Sequence, residues 1–542
     1  MHSGAPVEPR VIKQMTRVLA HRGPDGEGVH VDGPLGLGHR RLAVLDLSPA
    51  GSQPMSSADG RFWITYNGEI FNFREVRSEL EGRGYRYRSR TDTEVILTAY
   101  QEWGPECLSR FNGMFAFALW DRKEERLWLV RDRLGVKPVF YVDRPEMFAF
   151  ASEAKGILPA LPAQPALNEE ALHHFLSLNY TPAPMTLFAG ILQLLPGHYL
   201  VCRRGQPVQV TRYWDVDGAA QPTDQVESRV RRLLEDAVRW RLVSDVEVGA
   251  FLSGGIDSSA VVALMQRHAT HPIKTFAATF REASYSEAGQ AGFAARALGT
   301  QHVEQLIESG AIDALPKVVW HSEELTADSS MLAVYRLAQR ARQDVKVVLT
   351  GDGADELFGG YPTYLATRLA GWYRRLPRPL RARAIPRLVE WLPVSGRKAS
   401  LESRVRRFVY AQVEDDAQAH ASWRVIFAEG EKQALLKNGG RHWPPTARLY
   451  EPLLQHSVGA NDLTNRLLHA DLRFYLPNDM LVKVDRMTMA WGLEARTPYL
   501  DYRLVELVAG LPSSLKCWRG LREKALLRRV TRDVLPRGIR RR

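Results

Sequence analysis

The stretch Val248-Gly-Ala-Phe-Leu-Ser-Gly-Gly-Ile-Asp-Ser-Ser259 constrains this chain more than any other. Its apolar start predicts a strand through Leu252, and a helix is expected from about Ser258. Between them, Ser253-Gly254-Gly255 allows a tight turn and a close backbone approach that a Cβ would block. A helix N-terminus there presents unpaired N–H groups and the positive end of its dipole. The hydroxyls of Ser253, Ser258 and Ser259 add donors, so the corner is a cradle for a polyanion. No Gly-Lys-Ser/Thr follows, which excludes a Walker loop. Asp257 would repel phosphate, and its sensible use is to hold Mg²⁺ bridging phosphates.

A second polar loop follows the apolar run Val345–Leu349: Thr350-Gly351-Asp352-Gly353-Ala354-Asp355-Glu356-Leu-Phe-Gly-Gly360. Strands expected over 246–252, 274–280, 302–307 and 346–350 alternate with helices over 258–267, 286–298 and 331–342. Such alternation builds a doubly wound parallel sheet, with ligands at the carboxyl ends of its strands. From about Tyr361 onward the pattern is almost entirely helical. The first half differs. Short β-rich runs (RFWITYNGEIF, ERLWLVRD, PVFYVD, MFAFASE) recur from Leu35 to about Tyr199, with helical stretches at 73–81 and 93–103, which reads as a sheet-dominated α+β domain. At 542 residues two domains are expected: 1–212, a linker at 213–225, and 226–542.

Hydrophobic residues make up 45% and charged residues 25% of the chain, an ordinary globular balance. No run is long and apolar enough to span a bilayer and the start has no apolar signal core, so a cytoplasmic protein without a membrane partner is expected. Cys107, Cys202 and Cys517 lack metal or disulfide spacing and read as buried apolar side chains. The net charge of +12 gathers in the run Arg374–Arg407 and the tail Arg537–Arg542. Neither shows a nucleic-acid motif, and both read as solvated helix faces without a nucleic-acid partner.

The corner at Ser253 matches the S-G-G-x-D-S pyrophosphate loop of ATP pyrophosphatases. With the second loop it resembles the glutamine-hydrolysing asparagine synthetase family over nearly the whole chain. The string Leu476–Asp501, with Asp485, Arg486, Glu494, Arg496 and Asp501, looks like that family's D-R-x-x-M-x-x-x-x-E-x-R-x-P-x-L-D signature. Those charges would either pair at a domain core or line an aspartate pocket. The segments His21–Gly26, Gly38–Leu42, Tyr66–Ile70 and Ser89–Glu94 resemble the class II glutaminase domain.

The resemblance implies an α+β Ntn-hydrolase-type glutaminase domain of sandwiched sheets, followed by an α/β ATP-pyrophosphatase domain with a helical C-terminal part. It implies ATP and Mg²⁺, with glutamine and aspartate as the other substrates and a homodimer to test for. Leu252, Ser253, Gly254, Gly255, Asp257, Ser258, Ser259, Ala278, Thr350 and Gly351 would contact ATP. Asp257 and Asp355 would hold the metal, and Asp352 would serve adenylate formation. For glutamine, Arg41 would meet the carboxylate, Glu69 and Asp92 the ammonium or amide, and Asn67 with Gly68 the oxyanion. Activity on another carboxylic acid, or nucleotide binding without catalysis, are the alternatives. The family's N-terminal Cys is absent, since His2 follows Met1 and no Cys precedes Cys107. On this reading glutamine binds but is not hydrolysed. A further lysine expected beyond Leu535-Pro536 is also absent, and the recorded chain reads as shortened at both ends.

Overall fold

The computed structural model describes residues 4–216, 218–282, 286–323, 326–393, 401–410, 415–436, 443–455, 462–517 and 523–540. In the first half, alternating side chains give strands Phe62–Ile70, Gly113–Asp121 and Arg126–Arg131 two distinct faces. They sit inside a six-stranded sheet whose pairings are all antiparallel. Ile64, Phe115, Phe117 and Val130 pack beneath helices Phe73–Gly82 and Asp92–Trp103. On the other face, Ala116, Ala118 and Leu129 meet Tyr141 and Phe148 of a smaller sheet and Leu35 and Leu37 of a two-stranded ribbon. The first half is therefore a sandwich of sheets. All three cysteines are buried and free.

The second half holds five parallel strands in the spatial order Gln301–Ile307, Lys274–Phe280, Val248–Phe251, Val347–Leu349, Glu494–Arg496. Strand order reverses between Val248–Phe251 and Val347–Leu349, which opens a crevice at their carboxyl ends. Both polar loops leave the sheet there. The helices run over Ile256–His268, Ala288–Leu298 and Ser330–Ala341, each within two residues of the expected start. The fifth strand was not foreseen. Glu494–Arg496 lies in the expected helical region, and its pairing with Val347–Leu349 makes it extended. Between Arg212 and Val226 the chain runs against both halves: Tyr213 Oη donates to the Arg131 carbonyl (2.9 Å) and Trp214 Nε1 to Glu506 (2.7 Å).

In the helical C-terminal part, Asp471 is fully buried and accepts from Arg424 through two bonds (2.9 and 2.8 Å) and from Tyr364 Oη (2.8 Å). Burial alone would raise this carboxyl, but Arg424 and His420 hold it well below the usual carboxylate range. A depressed carboxyl stabilises the fold above its unfolded pKa of about 4, and that stability is lost as pH falls further. Asp471→Asn is expected to destabilise by about 3 kcal/mol at pH 7, because Arg424 loses its counter-charge. The deficit should shrink below pH 4, as denaturant unfolding across pH would show.

Candidate active site

At the crevice, the strand Val248–Phe251 ends with the buried Leu252, whose N–H donates to the Phe276 carbonyl (2.9 Å). Gly254 then adopts φ +78°, and a Cβ on it would lie 2.4 Å from the Gln290 carbonyl carbon. Only glycine fits that turn. Gly255 caps helix Ile256–His268 in extended conformation. Ser258 Oγ accepts from the Ser253 N–H (3.2 Å) and lies 3.1 Å from Ser253 Oγ, so the loop folds back on its own hydroxyls. Ser259 Oγ is buried without a protein partner.

The second loop packs directly on the first. A Cβ on Gly351 would stand 2.9 Å from the Ser258 nitrogen. Thr350 is buried beside it, and its N–H donates to the Arg496 carbonyl (2.9 Å). Ala278 lies near the carboxyl end of the adjacent strand, two positions beyond the Phe251–Phe276 pairing. Asp352 follows in the same loop, and Asp355 and Glu356 in the short helix Ala354–Phe358. Burial raises the Asp352 carboxyl, against Thr350 and Lys483. Burial and Asp355 push Glu356 up to about 8, although Tyr361 Oη donates to it (2.8 Å).

Asp257 and Asp355 converge on one cation, Lys524. Its Nζ lies 2.5 Å from Asp257 Oδ2 and 2.6 Å from Asp355 Oδ1. Burial pushes the Asp257 carboxyl up to about 6, with Lys524 opposing and Asp355 reinforcing. Asp257 Oδ1 is buried with no partner. Sequence reasoning missed Lys524. It starts the helix Ala525–Val530 from a left-handed backbone conformation (φ +53°), with no local pattern to single it out.

In the first half, a cavity of about 470 Å³ is lined by Arg41, Asn67, Gly68, Glu69 and Asp92, together with Glu494 from the second half. Arg41 is held by the carbonyls of Ser48 (3.0 Å), Leu45 (3.3 Å) and Asp46 (2.5 Å). Asn67 Nδ2 is a buried donor without a protein partner. Gly68 has φ +145°, and a Cβ there would collide with the Met114 carbonyl oxygen at 2.0 Å. Asp92 accepts from Tyr66 Oη (2.6 Å) and the Ile70 N–H (2.9 Å), and burial pushes it up to about 6. Burial and Asp92 raise Glu69 well above the carboxylate range, against Arg496 at 3.3 Å. The cavity thus gathers the acidic groups Glu69, Asp92 and Glu494 together with the cation Arg41, a set able to meet a ligand that carries both charges.

Residues 229–542 match the asparagine synthase family. The chain belongs to it. Residues 2–214 match the glutamine amidotransferase domain family. The glutamine-hydrolyzing asparagine synthetase 1 of Bacillus subtilis is 34% identical, aligned over 98% of this chain and 82% of its own length. A putative glutamine-hydrolyzing asparagine synthetase of Mycobacterium tuberculosis (strain H37Rv) is 35% identical over 97% of this chain and 82% of its own. Amidase chry2 of Gibberella zeae is 27% identical over 98% and 85%.

In this asparagine synthase family member the charged C-terminal string faces the other domain. Arg22 pairs with Asp485 (2.8 Å) and Glu153 (2.9 Å), and Arg486 pairs with Glu153 (2.9 Å) and Glu323 (3.0 Å). Arg496 reaches Glu69 and Glu494, and Asp501 accepts from Asn112 (2.9 Å) and Arg503 (2.9 Å). Asp25, within a glutaminase-like segment, accepts from Lys346, just before the strand Val347–Leu349 (2.9 Å). These side chains join the two halves, and the partners of their charged groups lie outside the loop crevice; only the main-chain oxygen of Arg496 reaches it, through Thr350. Of the two readings the sequence left open, pairing at a domain core accounts for them.

Proposed function

We propose that the chain is an ATP-dependent asparagine synthetase that converts aspartate to asparagine through a β-aspartyl adenylate. One observation carries this reading: two glycine-rich loops pack together where strand order reverses, and they bring Asp257 and Asp355 onto a single cation. The pair suits Mg²⁺, because both carboxylates already share a cation and Asp257 retains a buried oxygen without a partner. When bound, Mg²⁺ supplies charge neutralisation on the pyrophosphate.

The chain's own groups do the rest. Backbone N–H groups at the start of helix Ile256–His268, with the hydroxyls of Ser253, Ser258 and Ser259, hold and orient the triphosphate. Thr350, Gly351, Leu252 and Ala278 flank the nucleotide. An oxygen of the aspartate β-carboxylate attacks the α-phosphorus, and the bond to the β-phosphate oxygen breaks. Pyrophosphate leaves with that electron pair while the donors stabilise its charge. Ammonia then attacks the acyl carbon, loses a proton, and AMP departs. Asp352, next to Gly351 in the second loop, serves adenylate formation. In the other half, Arg41 meets the carboxylate of glutamine, Glu69 and Asp92 its ammonium or amide, and Asn67 with Gly68 the oxyanion.

The test uses an ammonium salt as nitrogen source, which probes the synthetase half by itself. Release of pyrophosphate should require aspartate, ATP and Mg²⁺ together, with AMP and asparagine formed in equal amounts. Pyrophosphate formed with a different carboxylic acid and not with aspartate would move the chain toward a related amide-forming activity. No pyrophosphate with any acid would sink the reading.

A further inference from the structure

Between Leu369 and Trp391 the chain carries six arginines (374, 375, 378, 381, 383, 387) and a single acidic residue, Glu390. By composition it reads as a solvated helix face. The structure adds what composition cannot show, namely where the apolar side chains point. Leu369, Trp372 and Leu376 are exposed at helical spacing on and just past helix Pro362–Tyr373. Leu380, Leu388 and Trp391 are exposed at helical spacing along the next helical stretch. Trp391 is 89%, Trp372 72% and Leu388 71% accessible.

The inward side of this unit is satisfied. Pro386 and Val389 are buried, Tyr373 Oη donates to the Arg381 carbonyl (2.9 Å), and Arg406 donates to the carbonyls of Glu390 (3.3 Å) and Leu392 (3.2 Å). Arg374 is paired with Asp416. Among the described residues Arg378, Arg383 and Arg387 have no carboxylate partner, and the Arg375 guanidinium lies over the Trp372 ring (5.6 Å). Two tryptophans and four leucines facing water on two successive helical stretches, interspersed in sequence with arginines that have no carboxylate partner among the described residues, make an apolar and cationic surface of the kind that marks an interaction site.

We infer that this face docks the enzyme on an anionic lipid bilayer. Tryptophan and leucine seat at the level of the headgroups and upper acyl chains, while arginines above them meet lipid phosphates. The charge complementarity is one-signed, with a single carboxylate in the stretch to oppose it. Four exposed leucines beside two tryptophans suit an acyl-chain boundary better than a nucleic acid, whose bases stack chiefly on aromatic rings. Peripheral docking needs no spanning segment. Among the described residues no helix is long and apolar enough to cross a membrane.

The test is flotation of the full chain with vesicles of phosphatidylcholine alone and of phosphatidylcholine with about a third phosphatidylglycerol. Binding is expected to the anionic vesicles only, weakening at least tenfold between low and physiological salt. The variant W372S/L388S/W391S should lose vesicle binding at least tenfold while keeping its unfolding midpoint and pyrophosphate release. The variant R378Q/R383Q/R387Q should lose it with a shallower salt dependence. Equal binding to neutral vesicles would overturn the inference, as would undiminished flotation of the serine variant. So would duplex DNA retaining the chain that vesicles do not, or a dimer that the serine variant dissolves in a chain that never floats.

Discussion

Asp257→Asn should lower pyrophosphate release by on the order of 10³-fold, and Asp355→Asn should do the same, because on the proposed function each removes one of two charges that would hold the metal against the leaving group. The loss should fall on turnover more than on aspartate dependence. Neither variant should unfold the chain. Each keeps one carboxylate on Lys524, and the Asp257 carboxyl, already pushed up to about 6, gives up little on becoming neutral. Single-turnover formation of AMP, with the unfolding midpoint measured beside it, checks both halves of this expectation. Turnover within tenfold of the unaltered chain would mean the two aspartates do not hold the metal.

Arg486→Met should cost about 3–5 kcal/mol, because the side chains of Glu153 and Glu323 are shielded from water and both lean on that guanidinium. Arg22 and Lys155 also reach Glu153, which keeps the loss below that of an isolated buried charge. The triple variant E153Q/E323Q/R486M should recover part of it, since neutral amides need no counter-ion. Urea unfolding followed by tryptophan fluorescence reports both. A loss under 1 kcal/mol would show that the pairs contribute little to joining the halves.

Much of the fold could be read from local pattern. The strand–turn–helix at Leu252 to Ser258 is specified within twelve residues by an apolar run, two glycines and polar helix-starting residues. Each of those signals acts on its immediate neighbours. The strand Glu494–Arg496 could not be read in that way. It is three residues long with a charge at each end, and only its pairing with Val347–Leu349 makes it extended. Lys524 was hidden for a related reason: its partners are Asp257 and Asp355, and nothing around it in the chain reports a contact so distant in sequence. The charges from Asp485 to Asp501 were visible, but their partners Arg22, Glu69, Asn112 and Glu153 lie in the other domain. Similarly, counting arginines near Arg374 says nothing about which way Trp372 and Trp391 turn.

Arg496 has its main-chain oxygen on Thr350 and its guanidinium on Glu69. The partition separating the crevice of the two glycine-rich loops from the cavity lined by Asn67 and Asp92 is thus, at that point, a single amino acid thick. So thin a partition has no slack. Reshaping either chamber there, by evolution or by engineering, redraws the floor of its neighbour.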